Sequence, residues 1–237
     1  LGAQVVSTSL EKTKFSLPCA INIAKTNDPQ ITGDAAVEDI VYSFSLIKDL
    51  PVEFVTINTS CPNTAEGCVK ESSVIAATLE RVIAINDRKL PLLLKLSPDS
   101  SDDFIEELVS ISIKQNLAGY VCGNTTVSRD GLATASDRLT AIGAGGLSGA
   151  PLKKLNLDLT RKIAKLKSPS QIIVGVGGIS TGQDAFDYLS AGARCLEIYT
   201  GFVYRGPTCV RQICEELSQI LKQRGVTLSE LQGPGVH

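Results

Sequence analysis

The side chains best suited to chemistry crowd into residues 58–64, Asn-Thr-Ser-Cys-Pro-Asn-Thr, directly after the apolar run Pro-Val-Glu-Phe-Val-Thr-Ile. A free cysteine is most often a small core hydrophobe. Cys61, however, stands between a serine and a proline at the end of a strand-like run, which is a place for a working thiol. The chain's one histidine is its last residue, His237, so the usual activating partner for acyl transfer is missing. Abstraction of a proton suits Cys61 better than nucleophilic attack.

Lys95 lies among leucines in "LLLKLSP". A lysine in a central strand rarely lacks a partner, so it points to an anionic or electron-rich group at a strand end, with a Schiff-base role as the rival reading. Asn58, Asn63 and Asn124 offer amides at or just after strand ends, a set that matches a flat heterocycle displaying both donors and acceptors. A single asparagine there would be turn or cap chemistry; the concentration around Cys61 and Lys95 argues for more. Three turns, "GGLSGAPL", "VGVGGIST" and "EIYTGF", bring glycines to strand ends and helix starts. Each alone makes a tight connection; together they suit a phosphate held by backbone amides. "GVGG" lacks the spacing and the acidic ribose partner of a dinucleotide fingerprint.

The elements that must carry these residues alternate between short Val/Ile-rich runs and segments of helical period. Strands are expected over 19–24, 53–60, 92–97, 119–124, 172–178 and 195–201, and helices over 37–49, 73–88, 101–116, 157–166, 182–191 and 209–224. Ser101 followed by acids makes a good helix start. Such alternation means βα units and a parallel sheet. Polar or glycine residues end nearly every strand (Asn22, Asn58, Lys95, Asn124, Gly178, Thr200), and a barrel gathers all of those ends into one site. A doubly wound sheet would use fewer of them. The expected fold is therefore α/β, a (β/α)8 TIM barrel of which the chain supplies about six βα units, as one domain over 1–237. The long stretch from Thr125 to Leu152 is expected as a loop over a ligand.

Composition narrows the function further. A net charge of −2 gives no electrostatic case for nucleic acid, and no apolar run nears the ~20 residues of a membrane span. Seven scattered cysteines without a C-x-x-C pair speak against structural zinc, and no metal ligand set is expected. Cys19, Cys122 and Cys195 lie in or beside strand-like runs and are expected as reduced, buried thiols of an intracellular, reducing compartment. The chain begins at Leu1 and contains no methionine, which leads us to expect a piece of a longer protein.

The motifs "INTSCPNT", "LLLKLSPD", "GNTTVSRDGL", "GGLSGAPL", "IIVGVGGIST" and "IYTGFVYRGP" resemble, in order and spacing, those of dihydroorotate dehydrogenases over nearly the whole chain. The resemblance implies an FMN-dependent flavoprotein that oxidises (S)-dihydroorotate to orotate in pyrimidine (UMP) biosynthesis. It implies Cys61 as the base for the C5 proton and Lys95 beside the flavin. Asn22, Asn58, Gly123, Gly149, Gly178, Tyr199 and Thr200 would contact the cofactor, and Asn58, Asn63, Asn124 and Thr125 the substrate. "GGLSG", "IYTGF" and "YRGP" look most like the membrane-associated, quinone-reducing class, whose base is normally serine, whereas a cysteine belongs to the soluble class. The electron acceptor is thus a quinone or another acceptor. Gly123 stands where the family usually has a threonine against FMN, and "NTAEGCVKES" replaces the usual Gly-Leu-Arg continuation, so the lid or the preferred substrate differs.

In the family two further strands and the membrane-contacting helices come first, so the barrel is expected to be N-terminally incomplete here, with weak FMN retention and little activity from this stretch alone. Peripheral membrane contact, at a bacterial or mitochondrial inner membrane, would come through that missing segment; a soluble enzyme would be cytoplasmic. The alternatives are another Cys-based FMN pyrimidine oxidoreductase, like a dihydropyrimidine dehydrogenase domain, or a truncated paralogue that binds a ligand without turnover.

Overall fold

The computed structural model describes residues 2–59 and 71–231, so Cys61 and Asn63 lie outside the described residues. The chain divides into two compact units, residues 1–96 with 101–120, and residues 97–100 with 121–237.

The first unit holds α1 (Ala3–Glu11), β1 (Ala20–Ala24), α2 (Gly33–Ser45), β2 (Phe54–Asn58), α3 (Ser72–Ala84), β3 (Leu92–Leu96) and α4 (Asp102–Lys114). The strands pair in parallel and in chain order, with Asn22 opposite Thr56, Ala24 opposite Asn58 and Asn58 opposite Lys95. Since side chains alternate along a strand, register partners share a face. One face therefore carries Ile23, Val55, Ile57, Leu92, Leu94 and Leu96, all buried. The other carries Asn22, Thr56, Asn58, Leu93 and Lys95. Helix α2 turns Val37, Ile40, Val41 and Phe44 inward. It starts four residues before the expected Val37, after the extended Thr32, and stops at Ser45, where Ile47 N–H bonds back to Phe44 O in a tighter turn. Ser101 caps α4 by accepting from Phe104 N–H, with Asp102 and Asp103 in the first turn, as charge at a helix start favours. Helix α1 was not expected from the sequence.

Strand β4 (Gly119–Cys122) ends in the second unit, which continues with α5 (Ser136–Ile142), α6 (Lys153–Leu166), β5 (Ile172–Val176), α7 (Gly182–Ser190), β6 (Cys195–Glu197), α8 (Thr200–Arg205), α9 (Cys209–Arg224) and α10 (Leu228–Leu231). Strands β5 and β6 pair in parallel, Val174 opposite Cys195. A 3-10 turn over Ala150–Leu152, with Pro151 inside it, feeds α6 and moves its start ahead of the expected Leu157. Thr181 and Asp184 form a reciprocal capping box on α7. Gly225, in the left-handed region, closes α9 at the expected residue. Helices α7 and α9 pack through Ala185, Cys209 and Ile213, with Phe186, Leu189 and Leu231 alongside.

Three expectations are corrected here. The last strand stops at Glu197 rather than 201, because Thr200 and Gly201 already open a helix. The long loop contains α5, which buries none of its residues. Of the three thiols expected buried, only Cys122 is; Cys19 is half-buried, and Cys195, at the first position of a three-residue strand, is exposed. Among the described residues no helix is long and apolar enough to cross a membrane.

Candidate active site

In the first unit, the parallel register sets Asn58 beside Lys95 on one face, with Asn22 on the same face of β1. Lys95 is half-buried and Asn22 exposed. A β3 that is leucine on its helix-facing side can carry this one lysine only because period-two alternation turns it to the other face. Beyond β1, the buried Lys25 donates to the carbonyls of Asp28 (3.2 Å) and Ile31 (2.8 Å), and Asp39 accepts from the amide and hydroxyl of Thr26. Those bonds shape the loop after Asn22, and Lys25 was not singled out in the sequence.

In the second unit, Gly149, Gly178, Thr181, Thr200, Arg205 and Glu216 are among the residues lining a cavity of about 600 Å³. Gly178 has φ +70°, and a Cβ there would lie 2.7 Å from Lys153 N. Gly149 has φ +88°, and a Cβ there would meet Thr200 Cγ2 at 3.0 Å. The turns thus lie against their neighbours in a way that only glycine permits. Thr200 Oγ1 donates to Ser148 Oγ at 3.0 Å. Arg205 bonds the Ser180 carbonyl and, at 2.7 Å, Glu216 Oε1, while Glu216 Oε2 accepts from Gly182 N–H at 2.6 Å. The Arg205 bond, and after it the Gly182 amide, holds the Glu216 carboxyl below the usual carboxylate range. With those two charges paired to each other, the capacity to hold an anion rests with backbone N–H groups and hydroxyls. Tyr199 does not line the cavity and is 80% exposed.

Behind this cavity, Tyr188 OH donates to Gly177 O at 2.7 Å, and Gly175 leaves room for its ring. Burial raises the Tyr188 phenol far above its usual range, so it stays a neutral donor. Lys153 Nζ bridges Asp184 (2.6 Å) and Asp187 (2.9 Å). Burial pushes the Asp184 carboxyl up, but bonds from Lys153, the Ser180 amide and Thr181 outweigh it and leave it lowered.

At the end of β4, Asn124 Oδ1 accepts from Thr125 N–H at 3.0 Å, and the Asn124 carbonyl accepts from Asn156 Nδ2 at 3.2 Å. Gly123 has no room for a side chain: at φ +131° its Cβ would lie 2.1 Å from Val176 O. Asp99 accepts from Thr126 Oγ1 (2.5 Å) and Val127 N–H (3.0 Å), and a bridge pairs Thr126 with Leu147. The Arg129 guanidinium donates to the carbonyls of Thr126, Val127, Ser128 and Gly145. The loop after Thr125 is therefore tied at its base. Asn156, Tyr188, Asp99 and Arg129 escaped the sequence reading. For Asp99 and Arg129 a signal existed, since both stand inside motifs quoted for other residues. A polar residue at a buried helix position, Asn156, was the signal for the third.

Among the described residues, no group of three or more His, Cys, Asp or Glu could hold a metal ion. The family described as Dihydroorotate dehydrogenase matches residues 1–221. A dihydroorotate dehydrogenase (quinone) of Corynebacterium efficiens is 34% identical over 99% of this chain and 62% of its own length. One from Acaryochloris marina is 38% identical over 98% of this chain and 62% of its own length. The chain thus spans about 62% of the length of these relatives. The crystal structure of ligand-free DHODH from Eimeria tenella matches with a TM-score of 0.81 at 25% identity, covering 98% of this chain and 68% of that one. The fold is that of the TIM barrel, as the polar strand ends led us to expect. On this agreement of sequence and fold, the chain belongs to the dihydroorotate dehydrogenase family.

Proposed function

We propose that the protein oxidises (S)-dihydroorotate to orotate with FMN as cofactor, electrons passing on to a quinone. The relatives' names support the reaction and the acceptor. The observation that carries the cofactor is the glycine-walled cavity: Gly149, Gly178 and Thr200, read from separate motifs, line one space of about 600 Å³. Its close-set backbone, hydroxyls and internally paired Arg205–Glu216 fit a phosphate monoester held by neutral donors. Bound FMN supplies the acceptor for the C6 hydride.

The chain's own residues divide the remaining work. The Cys61 thiolate takes the C5 proton as the C5=C6 double bond forms, and it ends as the thiol. Lys95, a cation on the Asn58-bearing face, offsets negative charge that develops on the ring system it meets. Asn22 and Asn58 orient the ring, Asn58 also reaching the substrate. Asn63, Asn124 and Thr125 hold the substrate's ring and carboxylate. Gly123 offers only its backbone to the cofactor, and Thr200, Gly149 and Gly178 form the phosphate side.

The test is direct. Purified in full length, the protein should carry bound flavin and reduce a soluble quinone in the presence of dihydroorotate. A colourless protein that takes up no FMN and oxidises no dihydroorotate with quinone, fumarate or NAD refutes the reading.

A further inference from the structure

We infer that Asn156 of α6 is a positioning residue that sets the Asn124 turn for the substrate; the inference rests on the substrate role given to Asn124 above. Asn156 is fully buried in the body of a helix, where an aliphatic residue would be expected. Its amide lies against two strand ends at once. A Cβ on Gly123 would come within 2.9 Å of its Cγ and Nδ2, and a Cβ on Gly177 within 2.0 Å of its Nδ2. Both glycines have positive φ, +131° and +112°. The backbone at the ends of β4 and β5 has thus drawn in to the thickness of one amide group, and any side chain at either glycine would expel it.

The orientation of that amide follows from its neighbours. Its nitrogen faces the Asn124 carbonyl at 3.2 Å, which only a donor can satisfy. Its Oδ1 is buried and has no hydrogen-bond partner. A buried acceptor left unsatisfied is a standing cost to the fold. A leucine, branched at the same atom though larger, would avoid that cost but could not hold the Asn124 carbonyl. Asn156 therefore fits a role in placing Asn124 better than a role in packing. The placement is consequential because Asn124 spends its own Oδ1 on the Thr125 amide, so that side chain and backbone of the turn move together.

Two variants test this in the purified protein. Asn156→Leu keeps the branching at Cγ and drops the donor, in a larger and non-planar side chain. KM for dihydroorotate should rise about ten- to a hundredfold, as misplaced binding groups do, with a lowered thermal midpoint from overpacking. Amide hydrogen exchange should increase in peptides covering 121–127 and not in those covering β6. Asn156→Asp keeps the shape, and its carboxyl donates to the Asn124 carbonyl only when protonated. Burial raises such a carboxyl. The ratio of variant to native KM should therefore be near one at acid pH and climb as pH rises. It also serves if the leucine variant fails to fold. A KM unchanged in both variants, or faster exchange at 121–127 without any change in KM, overturns the inference. A native protein that binds flavin but neither binds nor oxidises dihydroorotate overturns it together with the substrate reading; one that oxidises dihydroorotate while both variants match it overturns the inference alone.

Discussion

Replacing Gly178 by alanine separates two penalties that the structure assigns to the cavity turn. Gly178 and Gly225 both have positive φ, +70° and +64°, yet only the first is crowded. A Cβ at Gly225 meets nothing within 4 Å, whereas at Gly178 it would lie 2.7 Å from Lys153 N and 2.8 Å from Lys153 Cα. Gly225→Ala should therefore cost only the left-handed conformation, about 1 kcal/mol. Gly178→Ala carries the same cost plus an overlap with backbone that cannot rotate away, about 1–3 kcal/mol more. A difference of roughly 2 kcal/mol between the variants corresponds to about a thirtyfold change in an equilibrium constant. Urea unfolding followed by circular dichroism measures both, with equal m-values as the check that only stability has changed. The turn must also move to relieve the overlap, so FMN affinity, read from quenching of flavin fluorescence, should fall in Gly178→Ala and not in Gly225→Ala. Equal destabilisation of the two variants, with equal flavin affinity, would refute the reasoning about the cavity wall.

Other outcomes follow from named contacts. Tyr188→Phe removes the donor to Gly177 O at 2.7 Å and should cost about 1 kcal/mol in urea unfolding, with weaker FMN binding. Asp184→Asn loses the Lys153 bridge while its amide oxygen can still accept in the capping box, about 1–2 kcal/mol at neutral pH. Because the folded carboxyl is lowered, its stabilisation is full above the unfolded value and fades as pH falls below about 4, so the native and variant unfolding curves should converge there. Cys61→Ser should slow dihydroorotate oxidation at neutral pH and shift its pH profile upward, since an alcohol is a far weaker acid than a thiol of pKa about 8.5. An unchanged profile removes Cys61 from the mechanism. Lys95→Ala should lower kcat more than it raises KM, and the reverse would contradict its place beside the developing charge.

Much of this protein was legible in the sequence because its determinants are local. The strands that carry Asn58 and Lys95 were legible from their short apolar runs, and once those strands form, alternation sets the face each side chain takes. Ser101 and its acids announced α4, because capping involves only neighbours in sequence. The glycine turns pointed to a phosphate before any cavity was seen. What depended on distant residues stayed hidden. That Gly149, Gly178 and Thr200 face one space is set by the packing of three segments. That Gly123 faces Val176 and Asn156 is set by strand β5 and helix α6, and nothing near Gly123 in the chain encodes it. Cys195 reads as a strand thiol but is exposed, because burial depends on which elements come to cover a strand. Residue type and spacing determined which chemistry the chain can offer. Tertiary packing alone decided which backbone turns approach one another closely enough for a single buried amide, Asn156, to hold them.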